Sequence, residues 1–202
     1  MKIVTVLMMS GILLAVNACA ESGAVLFEDN FEGTLAEGWT WLREDKADWR
    51  ITDDGLEIRP RPGDANSVKN ALLRTLPEND VVVQVTVTFT TDLTQQYEQA
   101  GITWYADDAP VFKLVHERID DAYYIIPGKV PVANKMVHLR LTVIDGSYTA
   151  EFCVAGEEDW KVAAKGDMEI GKKNQVSLQT YHGPADGDHW MRFSNFKIKE
   201  VG

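Results

Sequence analysis

Hydrolysis of a glycosidic bond needs two carboxyl groups placed on opposite sides of the bond. The nearest group of carboxylates in this sequence is Glu117-Arg118-Ile119-Asp120-Asp121, whose spacing suits a strand end running into a turn. An acyl-transfer centre built on a Gly-x-Ser-x-Gly elbow is absent. The four histidines, His116, His138, His182 and His189, are scattered, and no His/Cys set has zinc spacing. His182 and His189 flank the polar run Gly183 to Asp188, which reads as an exposed connection. A catalytic centre is therefore not legible, and the chain reads as a binding protein more readily than as an enzyme.

The polar positions of the alternating segments are more informative. In Val81 to Phe89 every odd position is apolar, leaving Gln84, Thr86 and Thr88 on the other side. The same alternation groups Thr103 with Tyr105, Lys113 with Glu117, Arg140 with Thr142, and Ser177 with Gln179 and Tyr181. Rings that stack on pyranose faces, beside amides and charges that bond hydroxyls, are what a sugar surface needs. An antiparallel sheet with a solvated face also exposes polar residues of these types. Between Gly38 and Asp64 three tryptophans stand among charges. Trp49 alternates with Ile51 and reads as core, as does Trp39, whereas Trp41 and Arg43 are left as candidate contacts, with Arg50 behind them. Trp104 reads as buried, Trp160 as the cover of a hairpin, and Trp190 as ambiguous.

These residues need strands to position them, and strands are what the pattern supplies. Expected strands are Val25–Phe27, Trp49–Thr52, Leu56–Arg59, Val81–Phe89, Gly101–Tyr105, Val111–Glu117, Ala122–Ile126, His138–Ile144, Tyr148–Val154, Gln175–Tyr181 and Trp190–Lys199. They make about ten to twelve short strands with Asp, Gly and Pro turns between them, an all-β sandwich or barrel. Asp53-Asp54-Gly55 and Asp145-Gly146-Ser147 are hairpin signals. The polar segment Thr91–Gln99 reads as a loop.

The 202 residues carry a formal net charge of −11, which argues against a nucleic-acid backbone as partner. Residues 1–20 read as an export signal: Lys2 followed by an apolar run too short to span a membrane. Val16-Asn17-Ala18-Cys19 has the form of a lipobox, with Asn17 an unusual member, and would place a diacylglycerol on Cys19. Ala18-Cys19-Ala20 is also a small-x-small site for ordinary cleavage. Both readings export the protein: the lipobox holds it in the cell envelope, with a membrane association through the lipid alone, and ordinary cleavage leaves it periplasmic or extracellular. Both leave Cys153 as a single thiol without a disulfide partner.

Phe27-Glu28-Asp29-Asn30-Phe31, then Gly38 to Asp45, then Trp49 to Leu56 occur in that order. They are followed by Tyr97 to Ile102, Phe112-Lys113-Leu114 and Phe193-Ser194-Asn195-Phe196. Together they resemble the concanavalin A-like domain at the C-terminus of bacterial beta-xylosidases, and the related domain named for regulation of enolase. The likeness covers about residues 25–202. It implies a jelly-roll sandwich of two antiparallel sheets, one with a concave outer face that lies near sugars in relatives. It carries over no hydrolytic activity, because the propeller that performs it is not within these residues. It also implies a structural calcium near Glu28, Asp29 or Glu32 and Asn195, with no other cofactor required.

The expected function is thus binding of a polysaccharide or oligosaccharide on one sheet face. The candidate contacts are Trp41, Arg43, Gln84, Tyr105, Lys113, Glu117, Arg140, Gln179 and Tyr181. A glycoside hydrolase or polysaccharide lyase with an unusual centre, and an envelope protein-interaction module, are the two alternatives.

Overall fold

Val81 to Phe89 forms an unbroken strand in which Val81, Val83, Val85, Val87 and Phe89 are buried, as its period of two requires. The computed structural model describes residues 23–77 and 80–202, so the export signal and Cys19 lie outside the described residues. In chain order the strands are β1 (Val25–Asp29), β2 (Trp39–Leu42), β3 (Trp49–Thr52), β4 (Gly55–Ile58) and β5 (Ala71–Thr75). Then come β6 (Val81–Phe89), β7 (Gln99–Ala106), β8 (Ala109–Ile119), β9 (Ala122–Ile126) and β10 (Val130–Pro131). Last are β11 (Met136–Ile144), β12 (Ser147–Val154), β13 (Lys161–Asp167), β14 (Asn174–Tyr181) and β15 (Met191–Glu200). A single 3₁₀ turn, Lys46–Asp48, is the helical element among the described residues.

Two antiparallel sheets result. The eight-stranded sheet runs β13-β12-β11-β6-β15-β4-β3, with β1 added to β15, and the seven-stranded sheet runs β10-β9-β8-β7-β14-β5-β2. β15 pairs with β4 along its first half and with β1 along its second. The change of partner coincides with a bulge between Ser194 and Lys197. Between the sheets, Val83, Val85, Leu139 and Leu141 meet Ile102, Leu114, Val176 and Leu178, all buried in one cluster. Each such side chain contributes about 1.5–3 kcal/mol by leaving water.

Turn chemistry sets the hairpins. Asp107-Asp108, Asp120-Asp121 and Asp145-Gly146 each hold both central residues at positive φ, the form whose twist matches that of the flanking strands. Asp120 and Asp121 are therefore the β8–β9 turn. At Gly55 (φ 130°) a Cβ would collide with the Phe193 carbonyl, so glycine is required for the β3–β4 hairpin to lie against β15.

Among the described residues the strands number fifteen, more than the alternation predicts. β2, β5, β10 and β13 are short or irregularly patterned and are the additions. Cys153 is buried and free, with its thiol donating to the Glu157 carbonyl.

Candidate functional site

In the centre of the seven-stranded sheet, both faces are covered. Ala100, Ile102 and Trp104 of β7 point into the sandwich, and Gln99, Thr103 and Tyr105 alternate with them on the outer side. β14 does the same, with Val176 and Leu178 inside and Gln175, Ser177, Gln179 and Tyr181 outside. Register places Gln99 opposite Glu117 and Thr103 opposite Lys113 of β8. Five of the expected contacts, Tyr105, Lys113, Glu117, Gln179 and Tyr181, thus share this outer face.

Their side chains form a connected polar layer. The Lys113 ammonium donates to Gln99 Oε1 at 2.7 Å and to Glu117 Oε2 at 3.0 Å. The Tyr105 hydroxyl donates to Gln179 Oε1 at 3.0 Å, and Ser177 Oγ donates to the same oxygen at 2.8 Å. Burial pushes the Tyr181 phenol up, the neighbouring Glu117 charge adding to the effect, and burial also raises Tyr105. Both rings are neutral hydroxyl donors at any physiological pH. Gln179 Nε2 is buried on this layer with no hydrogen-bond partner, and Thr103 Oγ1 makes no close hydrogen bond, its polar neighbour being the Tyr181 phenol. An unmet buried polar atom costs about 1–3 kcal/mol.

The outer layer is not open. The segment 60–70, between β4 and β5, crosses it and packs Val68 and Ala65 against Tyr105, Tyr181 and Leu73. Its backbone is tied down at several points. The Tyr105 hydroxyl reaches the Ala65 carbonyl at 3.3 Å, and Arg43 Nε donates to the Val68 carbonyl at 2.5 Å. The His182 N–H donates to the Gly63 carbonyl at 3.2 Å. Asp64 closes a local turn by accepting from the Asn66 and Ser67 amides and the Ser67 hydroxyl, which hold its carboxyl below the usual carboxylate range. Tyr105 is 1% exposed and Gln179 fully buried, with Tyr105 bonded both to Gln179 and to the segment.

Beside the segment lies a cavity of about 180 Å³ whose lining includes Ala65, Thr103, Pro110, Val111, Phe112, Lys113 and Tyr181. Lys113 and Tyr181 are thus the two expected contacts that reach it directly, and Glu117 acts behind them through Lys113. None of the lining residues bears a carboxyl group.

The remaining expected contacts lie elsewhere. Gln84 and Arg140 stand on β6 and β11, in the other sheet, where Arg140 pairs with Glu151. Alternation assigns a face within a strand but not a sheet, and so it merged the two outer surfaces. Trp41 turns inward and packs on Trp49 with ring centroids 4.7 Å apart. Arg43 secures the segment 60–70. Arg50 and Arg59 hold Trp190 between them at 4.2 and 4.3 Å. Trp104 is buried as expected, and Trp160 lies over Arg140.

Three of the residues named for calcium, Glu28, Asp29 and Asn195, have side-chain partners. Asp29 accepts from the Phe31 amide at 2.7 Å, the Ala36 amide at 2.9 Å and the Trp39 indole at 2.9 Å. Glu28 lies 3.6 Å from Lys197, and Asn195 donates to Thr86. Among the described residues no three His, Cys, Asp or Glu side chains are grouped to hold a metal ion. In this loop the Asp29 carboxylate is taken up by three N–H donors.

Sequence reasoning missed the cover. Its signal was an apolar pair, Ala65 and Val68, inside a Pro/Gly/Asp-rich stretch that otherwise reads as solvated loop.

The family of beta-xylosidase C-terminal concanavalin A-like domains matches residues 28–184. Among solved structures, the GH43 BlXynB protein from Bacillus licheniformis superposes with a TM-score of 0.69 and 17% identity, over 85% of this chain and 39% of that one. A functionally unknown protein from Saccharomyces cerevisiae gives a TM-score of 0.56 and 14% identity over 82% of this chain and 98% of its own. The CBM2 module of the Lactobacillus casei BL23 phage J-1 evolved Dit gives 0.52 and 8%, over 89% and 96%. At these identities the likeness is one of fold. The chain spans about two fifths of the length of the Bacillus protein. No curated protein matches it.

Proposed function

The chain belongs to the family of beta-xylosidase C-terminal concanavalin A-like domains, and we propose that it is a carbohydrate-binding module without a catalytic centre. The ligand is a single sugar residue or the end of a chain, seated in the cavity bounded by Thr103, Lys113 and Tyr181. The observation that carries this reading is the buried Thr103 hydroxyl, which makes no close hydrogen bond and has the Tyr181 phenol as a polar neighbour, beside the Lys113 ammonium. A sugar hydroxyl supplies the missing partner, the ring supplies a stacking surface, and the ammonium bonds a second hydroxyl. The volume of about 180 Å³ falls below the roughly 300 Å³ at which pockets begin to enclose drug-sized ligands. Together with the segment 60–70, that size favours end-on entry over a chain lying along the sheet. Turnover is not proposed, since glycoside hydrolysis needs two carboxyls and the cavity wall has none.

In the same reading the protein is exported and held at an envelope membrane by a lipid on Cys19. Palmitate labelling of the parent and of Cys19→Ser tests that part separately, an unlabelled parent excluding it.

The binding reading is tested by calorimetric titration of the full chain with xylose, xylobiose and longer xylo-oligosaccharides. Affinity should level off at one or two residues. Thr103→Val deletes the unmet hydroxyl without adding volume, so it should weaken binding about tenfold while stability stays level or rises. Equal affinity in the variant, or no binding by the parent across the panel, overturns the reading.

A further inference from the structure

The outer face of the eight-stranded sheet carries a different set of groups. One row across its strands reads Glu151, Arg140, Gln84 and Lys197, each opposite the next in register, with Glu28 beyond. In the neighbouring row His138 stands opposite Thr86, and Thr86 opposite Ser194. There β15 bulges, and Asn195 takes a positive φ of 52°. The bulge turns the Asn195 amide back over the sheet, where it donates to Thr86 Oγ1 at 3.3 Å. Thr86 Oγ1 in turn shares a hydrogen bond of 2.9 Å with His138 Nδ1.

Above these rows sits Trp160. The Arg140 guanidinium lies 4.1 Å from the centre of its ring, and Glu151 fixes that guanidinium through Nε at 2.8 Å and Nη2 at 3.0 Å. The indole is therefore a held platform, not a free rotor. Gln84, His138, Trp160, Asn195, Lys197 and Lys199 line a cavity of about 290 Å³ at this place.

The chemistry of the lining selects among ligands. Ring, amides and imidazole suit a pyranose, whose apolar face stacks and whose hydroxyls need donors and acceptors. The two ammonium groups, at positions 197 and 199, stand on one side of one strand and bring cations to this wall of the cavity. Lys197 has Glu28 at 3.6 Å, an exposed pair of little worth, which leaves its charge available to a ligand. A phosphate or lipid headgroup would use the ammonium groups and leave the ring idle. A neutral glycan would use the ring and make no ion pair with Lys197. A sugar bearing a carboxylate uses both.

We propose that this cavity is a second carbohydrate site, on the sheet opposite the Thr103 cavity, selective for a saccharide carrying a uronic acid. It does not rest on the reading of the first cavity, and either can fail alone.

The test is titration of the full chain with a glucuronic-acid-substituted xylo-oligosaccharide and its neutral counterpart, at low and raised salt. The acidic ligand should bind at least about tenfold more tightly at low salt, with the difference shrinking as salt rises. Trp160→Ala should weaken both ligands, and Lys197→Gln with Lys199→Gln, which leaves the platform in place, should remove the preference. Thr103→Val should retain it. Equal affinity for the two ligands overturns the proposal, as does a preference that survives the lysine substitutions, or binding of both ligands that Trp160→Ala leaves unchanged. Loss of the preference in Thr103→Val instead, or capture by anionic lipid vesicles that Trp160→Ala leaves unchanged, also overturns it.

Discussion

Tyr105 donates its phenolic hydrogen to Gln179 Oε1 at 3.0 Å while the Ala65 backbone closes over it, so an aromatic side chain on the outer side of a sheet has become interior. The ring therefore acts on stability and not on ligand. Tyr105→Phe removes one buried donor and should cost about 1–2 kcal/mol. Tyr105→Ala leaves a cavity and should cost about 3–5 kcal/mol. Urea unfolding measures both. Sugar affinity should be unchanged in Tyr105→Phe, and a loss of binding in that variant would return the ring to the ligand surface.

His116 gives the fold a pH dependence. Its ring stacks on Phe89 at 4.2 Å, neither nitrogen has a partner, and burial depresses it to about 3. The unfolded chain binds this proton below about pH 6.5 and the folded chain does not until about pH 3. Stability contributed by the neutral ring is thus complete above pH 6.5 and declines as the pH falls toward 3. The slope approaches about 1.4 kcal/mol per pH unit. In His116→Leu this component should vanish, leaving the variant more acid-resistant than the parent. Parallel unfolding profiles for the two proteins between pH 7 and 4 would exclude it.

Asp29 organises the turn between β1 and β2 through three N–H donors. Asp29→Ala should lower stability by about 3 kcal/mol or more, because the Phe31 amide and the Trp39 indole lose their acceptor together. Calcium should neither raise the melting temperature of the parent nor rescue the variant, and chelator should leave both unchanged. A calcium-dependent rise in the parent would mean that the carboxylate exchanges its donors for a cation.

Much of the strand list could be read directly. Trp49–Thr52, Val81–Phe89 and Ala122–Ile126 occupy the predicted residues, because their alternation and the Asp/Gly turns beside them are local properties. The partition of strands between sheets could not be read in the same way. Gln84 and Tyr105 are both polar-side residues of alternating strands, yet β6 pairs with β11 and β15 while β7 pairs with β8 and β14. Pairing is decided over long sequence separations, which a period cannot encode. Trp41 misled for another reason. Its strand, β2, is four residues long and joins the sheet edge, too short for a period to tell its faces apart.

The segment 60–70 belongs to the same chain as the layer it covers and is anchored at both ends by β4 and β5. A tethered occupant of this kind competes at millimolar effective concentration, whatever the concentration of protein. Any long glycan seeking to lie along the sheet must first displace it, and its apparent affinity is reduced by the fraction of time the cover is in place. A terminal sugar entering beside Thr103 meets no such competition. If a glycan binds beside Thr103 as proposed, the cover acts as a length filter, discriminating chain ends from chain interiors.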